Sequence, residues 1–339
     1  MDRKLPQTVL DVLDKLKGKP KVLVTHPDVP QEAIDILSQK CKVTVLSSCP
    51  PVRTEILEKC KGMDAFLWGG HEALNAEILD AAGPQVKSIS TMSAGYDFVD
   101  LEEIKKRKIP FGNTPEVLSV AVAELAIGLM ISAARRFHEG RKHIESSTWN
   151  NASLKWMLGR EVRGAKIGFF GFGSIAQAIA DRLEGFEIGS IIYHTRRVSP
   201  AGNDYKAKHV TFDELLAQSD FIFIASPLTE STREKFNESA FNKMKSTAVL
   251  INIGRGQIVD QKALYNALKT NKIFSAGLDV MTPEPLPADD PLLSLPNCVL
   301  VPHLGSATER TRCDMGVIAA HNVLQGLAGE PMFAPVYQP

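Results

Sequence analysis

The chain has 339 residues, with 39 basic and 39 acidic side chains and so no formal net charge. That length is too great for one small core and predicts two domains of about 100–200 residues each. A composition of 44% hydrophobic and 23% charged residues excludes disorder or a fibre. The charge balance excludes nucleic-acid backbone binding, which needs a basic excess, but leaves room for a local cluster that binds one small anion.

At the N-terminus, Leu5, Val9, Val12, Leu13 and Leu16 recur at helical spacing, and Asp2, Asp11 and Asp14 argue against a transit peptide, so a short amphipathic leader helix is predicted. From Lys21 onward, β-rich runs alternate with helical ones, the pattern of parallel sheets with crossover helices. Strands are predicted at 21–26, 43–46, 64–68, 88–91 and 109–112, with helices at 30–39, 54–59, 75–82 and 101–106. Residues 117–134 (VLSVAVAELAIGLMISAA) are almost wholly apolar but carry Glu124, and predict a buried helix between domains rather than a membrane span. A polar stretch with Trp149 and Trp156 leads to a second, more hydrophobic series. Its strands are at 166–170, 190–194, 221–225, 248–251, 274–278 and 298–301, its helices at 175–183, 213–218 and 261–270. A last helix at 308–327 returns to the first series. The prediction is α/β: a doubly wound parallel-sheet domain at 117–307 inserted into another built from 1–116 and 308–339. The five cysteines are odd in number and contain no CxxC pair, which predicts a reduced, cytoplasmic setting.

Residues 166–176 read KIGFFGFGSIA, a strand running into Gly171-x-Gly173-x-x-Ala176 and then a helix. Gly171 permits the tight turn, Gly173 the approach of a pyrophosphate, and Ala176 close helix–strand packing. The anion would rest on the helix N-terminus, where unpaired N–H groups and the macrodipole favour negative charge. The alternative is a Gly-rich turn of some other α/β protein; the flanking strand and helix favour a dinucleotide. The next strand ends in Tyr193-His194-Thr195-Arg196-Arg197. A carboxylate there would bind a ribose 2′-hydroxyl and repel a 2′-phosphate, whereas arginine grips the phosphate through two N–H groups. Arg196 and Arg197 therefore predict NADPH/NADP, with NADH used more weakly, against the alternative of two solvated surface arginines.

Three further strand ends carry polar groups: Arg255 in INIGRGQIVD, Glu284 in LDVMTPEPLP and His303 in VPHLGSATER. An arginine fork for a carboxylate, a base near neutral pKa and a carboxylate to hold it would suffice for hydride exchange on a 2-hydroxy acid. Taken singly, each has a plainer role: Arg255 a helix cap, Glu284 a loop carboxylate, His303 a structural histidine. No HExxH or comparable ligand spacing occurs, so no metal is expected.

The chain from Lys21 onward resembles the D-isomer-specific 2-hydroxyacid dehydrogenases, in particular their glyoxylate- and hydroxypyruvate-reducing branch. STMSAGYDFVD, GFGSIAQAIA, QSDFIFIASPLT, INIGRG, AGLDVMTPEPLP and VPHLGSATERTR carry the likeness. The resemblance implies a Rossmann cofactor domain inserted in a flavodoxin-like substrate domain, and NADPH-dependent reduction of glyoxylate to glycolate and of hydroxypyruvate to D-glycerate. It implies that Arg255 clamps the substrate carboxylate, that His303 donates the proton, and that Glu284 pairs with His303, raising its pKa and orienting the ring. It places Gly70, Ala94, Gly95 and Ser306 at the substrate. At the cofactor it places Gly171, Gly173, Ser174, Ile175, Ser226, Pro227, Ile253, Asp279, His303 and Gly305. It also implies a homodimer formed through the helix at 117–136. Two departures bear on substrate preference: the loop Trp68-Gly69-Gly70-His71 replaces a leucine-rich stretch, and Ala152 stands where the family's linker carries a tryptophan. The alternatives are another D-2-hydroxyacid dehydrogenase of broad 2-keto acid specificity and a dinucleotide-sensing, corepressor-like binding protein. The short C-terminus weighs against the phosphoglycerate-oxidising form.

Overall fold

The computed structural model describes residues 18–150 and 152–339, so the predicted leader helix lies outside the described residues. The chain divides into two compact units, the first running to Leu118 and resuming at Ala307–Pro339, the second spanning Ser119–Ser306.

The first unit opens with β1 (Lys21–Val24), α1 (Gln31–Ser38), β2 (Lys42–Val45), α2 (Arg53–Lys59), β3 (Ala65–Trp68), α3 (Ala76–Ala82), β4 (Ser88–Thr91), α4 (Leu101–Lys106) and β5 (Phe111–Gly112). The second unit contains α5 (Ser119–Ala134), α6 (Phe137–Glu145), β6 (Lys166–Phe170), α7 (Ser174–Leu183), β7 (Ser190–His194), β8 (Lys208–His209), α8 (Phe212–Gln218), β9 (Phe221–Ile224), α9 (Glu238–Lys243), β10 (Val249–Asn252), α10 (Gln261–Lys269), β11 (Ser275–Leu278) and β12 (Cys298–Leu300). The chain then returns to the first unit as α11 (Glu309–Ala328) and β13 (Pro335–Tyr337). The predicted elements start and stop within two residues of these. The prediction omits α6, α9 and the short edge strands β8 and β13.

The first sheet runs β13-β5-β4-β3-β1-β2 and is parallel except for β13, which lies antiparallel to β5. Without β13, this is the 2-1-3-4-5 order of a flavodoxin-like sheet. Strand β4 (SIST) is buried throughout despite three hydroxyl side chains. Helix α11 serves two of the three through Asn322, itself fully buried: its carbonyl accepts Ser88 Oγ at 3.5 Å and its side chain meets Ser90, while Thr91 Oγ1 has no partner among the described residues. The Asn322 amide donates to Ser90 Oγ at 3.1 Å and to the Asn113 carbonyl at 3.0 Å, and its oxygen accepts the Ala334 N–H at 2.9 Å. One side chain thereby joins β4, the end of β5 and the approach to β13.

The second sheet runs β12-β11-β10-β9-β6-β7-β8, all parallel. From β8 through β11 this is the Rossmann order 3-2-1-4-5-6, which reverses direction between β6 and β9. Strands β9 (FIFI), β10 (VLIN) and β11 (SAGL) are buried along their whole length, as a sheet covered on both faces requires. Helix α5 packs on this sheet. Ser275 Oγ donates to the Ala133 carbonyl at 3.0 Å, and a Cβ on Gly277 would stand 3.1 Å from Leu129 Cβ, so glycine lets the helix lie close. Glu124 pairs with Arg182 on α7. Among the described residues no helix is long and apolar enough to cross a membrane.

Candidate active site

Three strands of the second unit end side by side and deliver the three polar groups. Strand β10 closes on Asn252, whose buried amide shapes the next turn: its oxygen accepts the Gly254 N–H at 3.1 Å and its nitrogen donates to the Arg255 carbonyl at 3.0 Å. Arg255 leaves this turn half-buried, with Nη1 donating to the Gly254 carbonyl at 2.8 Å. Gly256 follows where a Cβ would overlap the Met281 carbonyl, so the arginine turn is seated directly on the loop that carries Glu284. That loop is braced twice. Glu284 Oε1 accepts the Met281 N–H at 2.9 Å, and Gln261 Oε1 accepts the Thr282 N–H at 2.9 Å.

His303 Nδ1 lies 2.8 Å from Glu284 Oε2, both side chains being about one-third exposed. A carboxylate only accepts, so Nδ1 carries the hydrogen and Nε2 is the nitrogen that faces away from Glu284. The His303 backbone is in the left-handed region, φ 54°, a conformation that costs a non-glycine residue roughly 1–2 kcal/mol. Asp279, at the end of β11, holds it there. The Asp279 carbonyl accepts the His303 N–H at 2.9 Å, and its carboxylate oxygens accept the N–H groups of Leu304 (2.6 Å) and Gly305 (3.0 Å). Burial pushes the Asp279 carboxyl above its usual range in spite of those two N–H donors. Ser306 follows, half-buried.

The glycine-rich turn joins β6 to α7. Gly171 has φ 93°, and a Cβ there would stand 2.6 Å from the Ala225 carbonyl oxygen, so only glycine lets the turn meet the end of β9 and the adjoining Ser226-Pro227. Gly173 has open space where a Cβ would be. Helices α8, α9 and α10 each carry a side-chain cap from Thr211, Asn237 and Asp260, whereas α7 has none, so its first N–H groups, at Ser174 and Ile175, are left for a ligand or water. This fits a dinucleotide pyrophosphate. Ile253 is buried in the turn after β10. At the end of β7, Arg196 and Arg197 are exposed, and neither guanidinium bonds to a described residue. Their turn is nonetheless shaped. Thr195 Oγ1 donates to the Arg197 carbonyl at 2.6 Å, and His209 Nε2 lies 2.9 Å from the Thr195 carbonyl.

Gly70, Ala94 and Gly95 belong to the first unit, at the carboxyl edge of its sheet. Asn113 Nδ2 donates to the Ala94 carbonyl at 2.8 Å and Ser93 Oγ to the Gly95 carbonyl at 2.7 Å, whereas the amides of Ala94 and Gly95 have no acceptor among the described residues. Trp68, by contrast, is core: its indole is buried and donates to the Glu72 carbonyl at 3.0 Å. Sequence reasoning missed Asn252, Gly256 and Gln261. The one available signal was an asparagine closing an otherwise apolar strand.

This arrangement can be set beside known proteins. Residues 127–305 match the D-isomer specific 2-hydroxyacid dehydrogenase, NAD binding domain family. The human glyoxylate reductase/hydroxypyruvate reductase is 44% identical over 316 residues, 92% of this chain and 96% of that protein. A crystal structure of a Thermus thermophilus protein covers 94% of this chain and all of its own with a TM-score of 0.86 at 34% identity. The NADPH-dependent glyoxylate/hydroxypyruvate reductase of Sinorhizobium meliloti, solved with NADP and malonate, superposes over 94% of this chain and 97% of its own with a TM-score of 0.79 at 28% identity. The chain belongs to the D-isomer specific 2-hydroxyacid dehydrogenase family, and is an NAD(P)-dependent oxidoreductase acting on CH–OH donors.

Proposed function

We propose that this enzyme reduces glyoxylate to glycolate and hydroxypyruvate to D-glycerate, using NADPH in preference to NADH. The observation that carries the reading is the 2.8 Å pair between His303 Nδ1 and Glu284 Oε2, with the Arg255 turn seated on the glutamate's loop through Gly256. A nicotinamide cofactor, when bound, would supply the hydride that C2 of the keto acid accepts. Arg255 binds the substrate carboxylate and polarises the C2 carbonyl through its planar N–H fork. His303, charged, gives the Nε2 proton to the oxygen at C2 and takes it back in the reverse direction, while Glu284 holds the ring by Nδ1. The unpaired amides of Ala94 and Gly95, with Gly70 and Ser306, add donors for the carboxylate. Gly171, Gly173, Ser174, Ile175, Ser226, Pro227, Ile253 and Gly305 would hold the cofactor. Asp279 acts there chiefly by fixing the turn that carries His303.

The NADPH preference rests on the two unpaired arginines after β7 and on the absence of any carboxylate between His194 and Arg197. Pairing into a homodimer is supported by Val120, Phe137, Ile144, Trp149, Leu154 and Leu158, apolar side chains left exposed on α5, α6 and the segment after them. The free cysteines agree with a reducing, cytoplasmic setting.

Four assays test the reading: two substrates against NADPH and NADH, followed by cofactor absorbance. Turnover of glyoxylate and hydroxypyruvate with a lower KM for NADPH is expected; no turnover of either at high enzyme concentration would sink it. Light scattering on the eluted protein, expected at twice the chain mass, tests the dimer.

A further inference from the structure

One set of side chains in the first unit has no role in the chemistry above. Beyond β1 the chain turns through His26-Pro27-Asp28, and beyond β2 through Ser47-Ser48-Cys49-Pro50, both at the carboxyl edge of the sheet. A ring nitrogen of His26, a carboxylate oxygen of Asp28 and Sγ of Cys49 all lie within 4.8 Å of one another. Cys49 Sγ stands 3.6 Å from Asp28 Oδ2. Two ligands on a tetrahedral zinc, with bonds of about 2.3 Å to sulfur and about 2.1 Å to oxygen, are separated by about 3.6 Å.

We propose that His26, Asp28 and Cys49 form a binding site for a borderline-soft divalent cation, with zinc as the type, whose fourth position is open to water. A mixed nitrogen, oxygen and sulfur set suits zinc and excludes magnesium and calcium, which take oxygen alone. The two loops are held without the cation. Glu55 accepts the N–H groups of Ser47 and Ser48 at 2.9 and 3.0 Å and both their hydroxyls, and Val52 N–H donates to Ser48 Oγ at 3.0 Å. On the other side, a Cβ on Gly69 would stand 2.8 Å from His26 Cβ, so the histidine is wedged against the strand β3 exit. Binding needs two local changes. The Cys49 thiol proton passes to solvent, and the His26 nitrogen that binds must carry no hydrogen; if that nitrogen is Nδ1, it also releases the Asp28 N–H that it now accepts at 3.0 Å, an exposed amide that water can take over. The ligands come from two loops separated in sequence, so spacing along the chain does not display them, and the inference departs from the expectation of no metal. It does not depend on the proposed substrate.

Cobalt(II) titration of the metal-free full chain tests the site. Cys49 is the only exposed thiol among the described residues, the other four being buried, so a thiolate-to-cobalt absorption band reports this position. A 1:1 band displaced by zinc is expected, absent in Cys49→Ser. His26→Gln and Asp28→Asn should each weaken binding by at least about tenfold, the lower end of what losing even an outer partner costs a metal site. Zinc should raise the Tm of the parent and not of Cys49→Ser. No band, or a band of unchanged affinity in Cys49→Ser, would overturn the proposal. Because Asp28 and Cys49 lie on exposed turns, metal-free Asp28→Asn and Cys49→Ser should unfold at the parent Tm.

Discussion

The Asp279 carboxylate grips Gly305: Oδ2 accepts the Gly305 N–H at 3.0 Å, and a Cβ on Gly305 would stand 2.9 Å from that same oxygen. With Oδ1 on the Leu304 N–H, both oxygens are engaged on the turn that follows His303. The left-handed backbone at the histidine is therefore paid for by a carboxylate one strand away. Asp279→Asn puts an NH2 where one acceptor stood, opposing a backbone N–H. We expect a loss of roughly 1–3 kcal/mol in unfolding free energy, typical of a buried group left unsatisfied, and a lower kcat. Denaturant unfolding beside steady-state kinetics checks both. A variant as stable and active as the parent would refute the role of Asp279 in holding the turn.

His303→Ala should lower kcat by at least about a hundredfold, because general acid catalysis is typically worth 10²–10⁴-fold. Glu284→Gln keeps an acceptor for Nδ1 but removes the charge, so a smaller loss is expected. If His303→Ala turns over at near-parent rates, the proton donor is another group.

Replacing both Arg196 and Arg197 with alanine should raise KM for NADPH and leave KM for NADH nearly unchanged, since only the former has a 2′-phosphate to lose. Equal effects on the two cofactors would make these arginines bystanders. His209→Ala, which removes the ring nitrogen 2.9 Å from the Thr195 carbonyl, is expected to move KM in the same direction but less.

Gly256→Ala tests the seat of the arginine turn. The added methyl meets the Met281 carbonyl and lies 2.7 Å from Thr282 Oγ1. Backbone must move, and overpacking of this kind costs about 1–3 kcal/mol. Expected outcomes are a lower Tm and a larger fall in kcat/KM than in thermal stability. Parent-like kinetics would show that the Glu284 loop tolerates displacement.

Acid stability should depend on Glu55. Hydrogen bonds from Ser47 and Ser48 hold its carboxyl down to about 2, from an ordinary 4.5. A depressed pKa contributes stability above the unfolded value and loses it as pH falls, here across the window from 4.5 toward about 2. Asp279 has the opposite sign: its raised pKa contributes most below the ordinary 3.8 and less as pH rises through the folded value. Glu55→Gln should flatten the acid limb of a stability–pH curve and Asp279→Asn should not. An unchanged acid limb in Glu55→Gln would remove the carboxylate from this role.

Much of this architecture is legible along the chain, because buried parallel strands are short continuous apolar runs. FIFI and VLIN need no partner to be recognised, and strands 166–170 and 190–194 are placed to the residue. Two-residue and three-residue edge strands such as Lys208–His209 and Pro335–Tyr337 have no period to detect and exist only because a neighbour pairs with them. Arg255, Glu284 and His303 stand out as polar residues after apolar strands. What aligns them does not: Asn252, Gly256 and Asp279 work through contacts with residues 2 to 26 positions away, which a linear reading cannot rank above other asparagines, glycines and aspartates.

The Asn322 side chain has a consequence for the order of events during synthesis. Strand β4 leaves the ribosome with Ser88 and Ser90 facing a side of the sheet that nothing yet covers, and its cover, α11, follows only after the whole of Ser119–Ser306 has been made. The inserted unit is contiguous and can close as it emerges, whereas the unit that begins first must wait and finish last. The nascent chain therefore carries an open sheet for about half its length, and the late arrival of one asparagine ends that exposure.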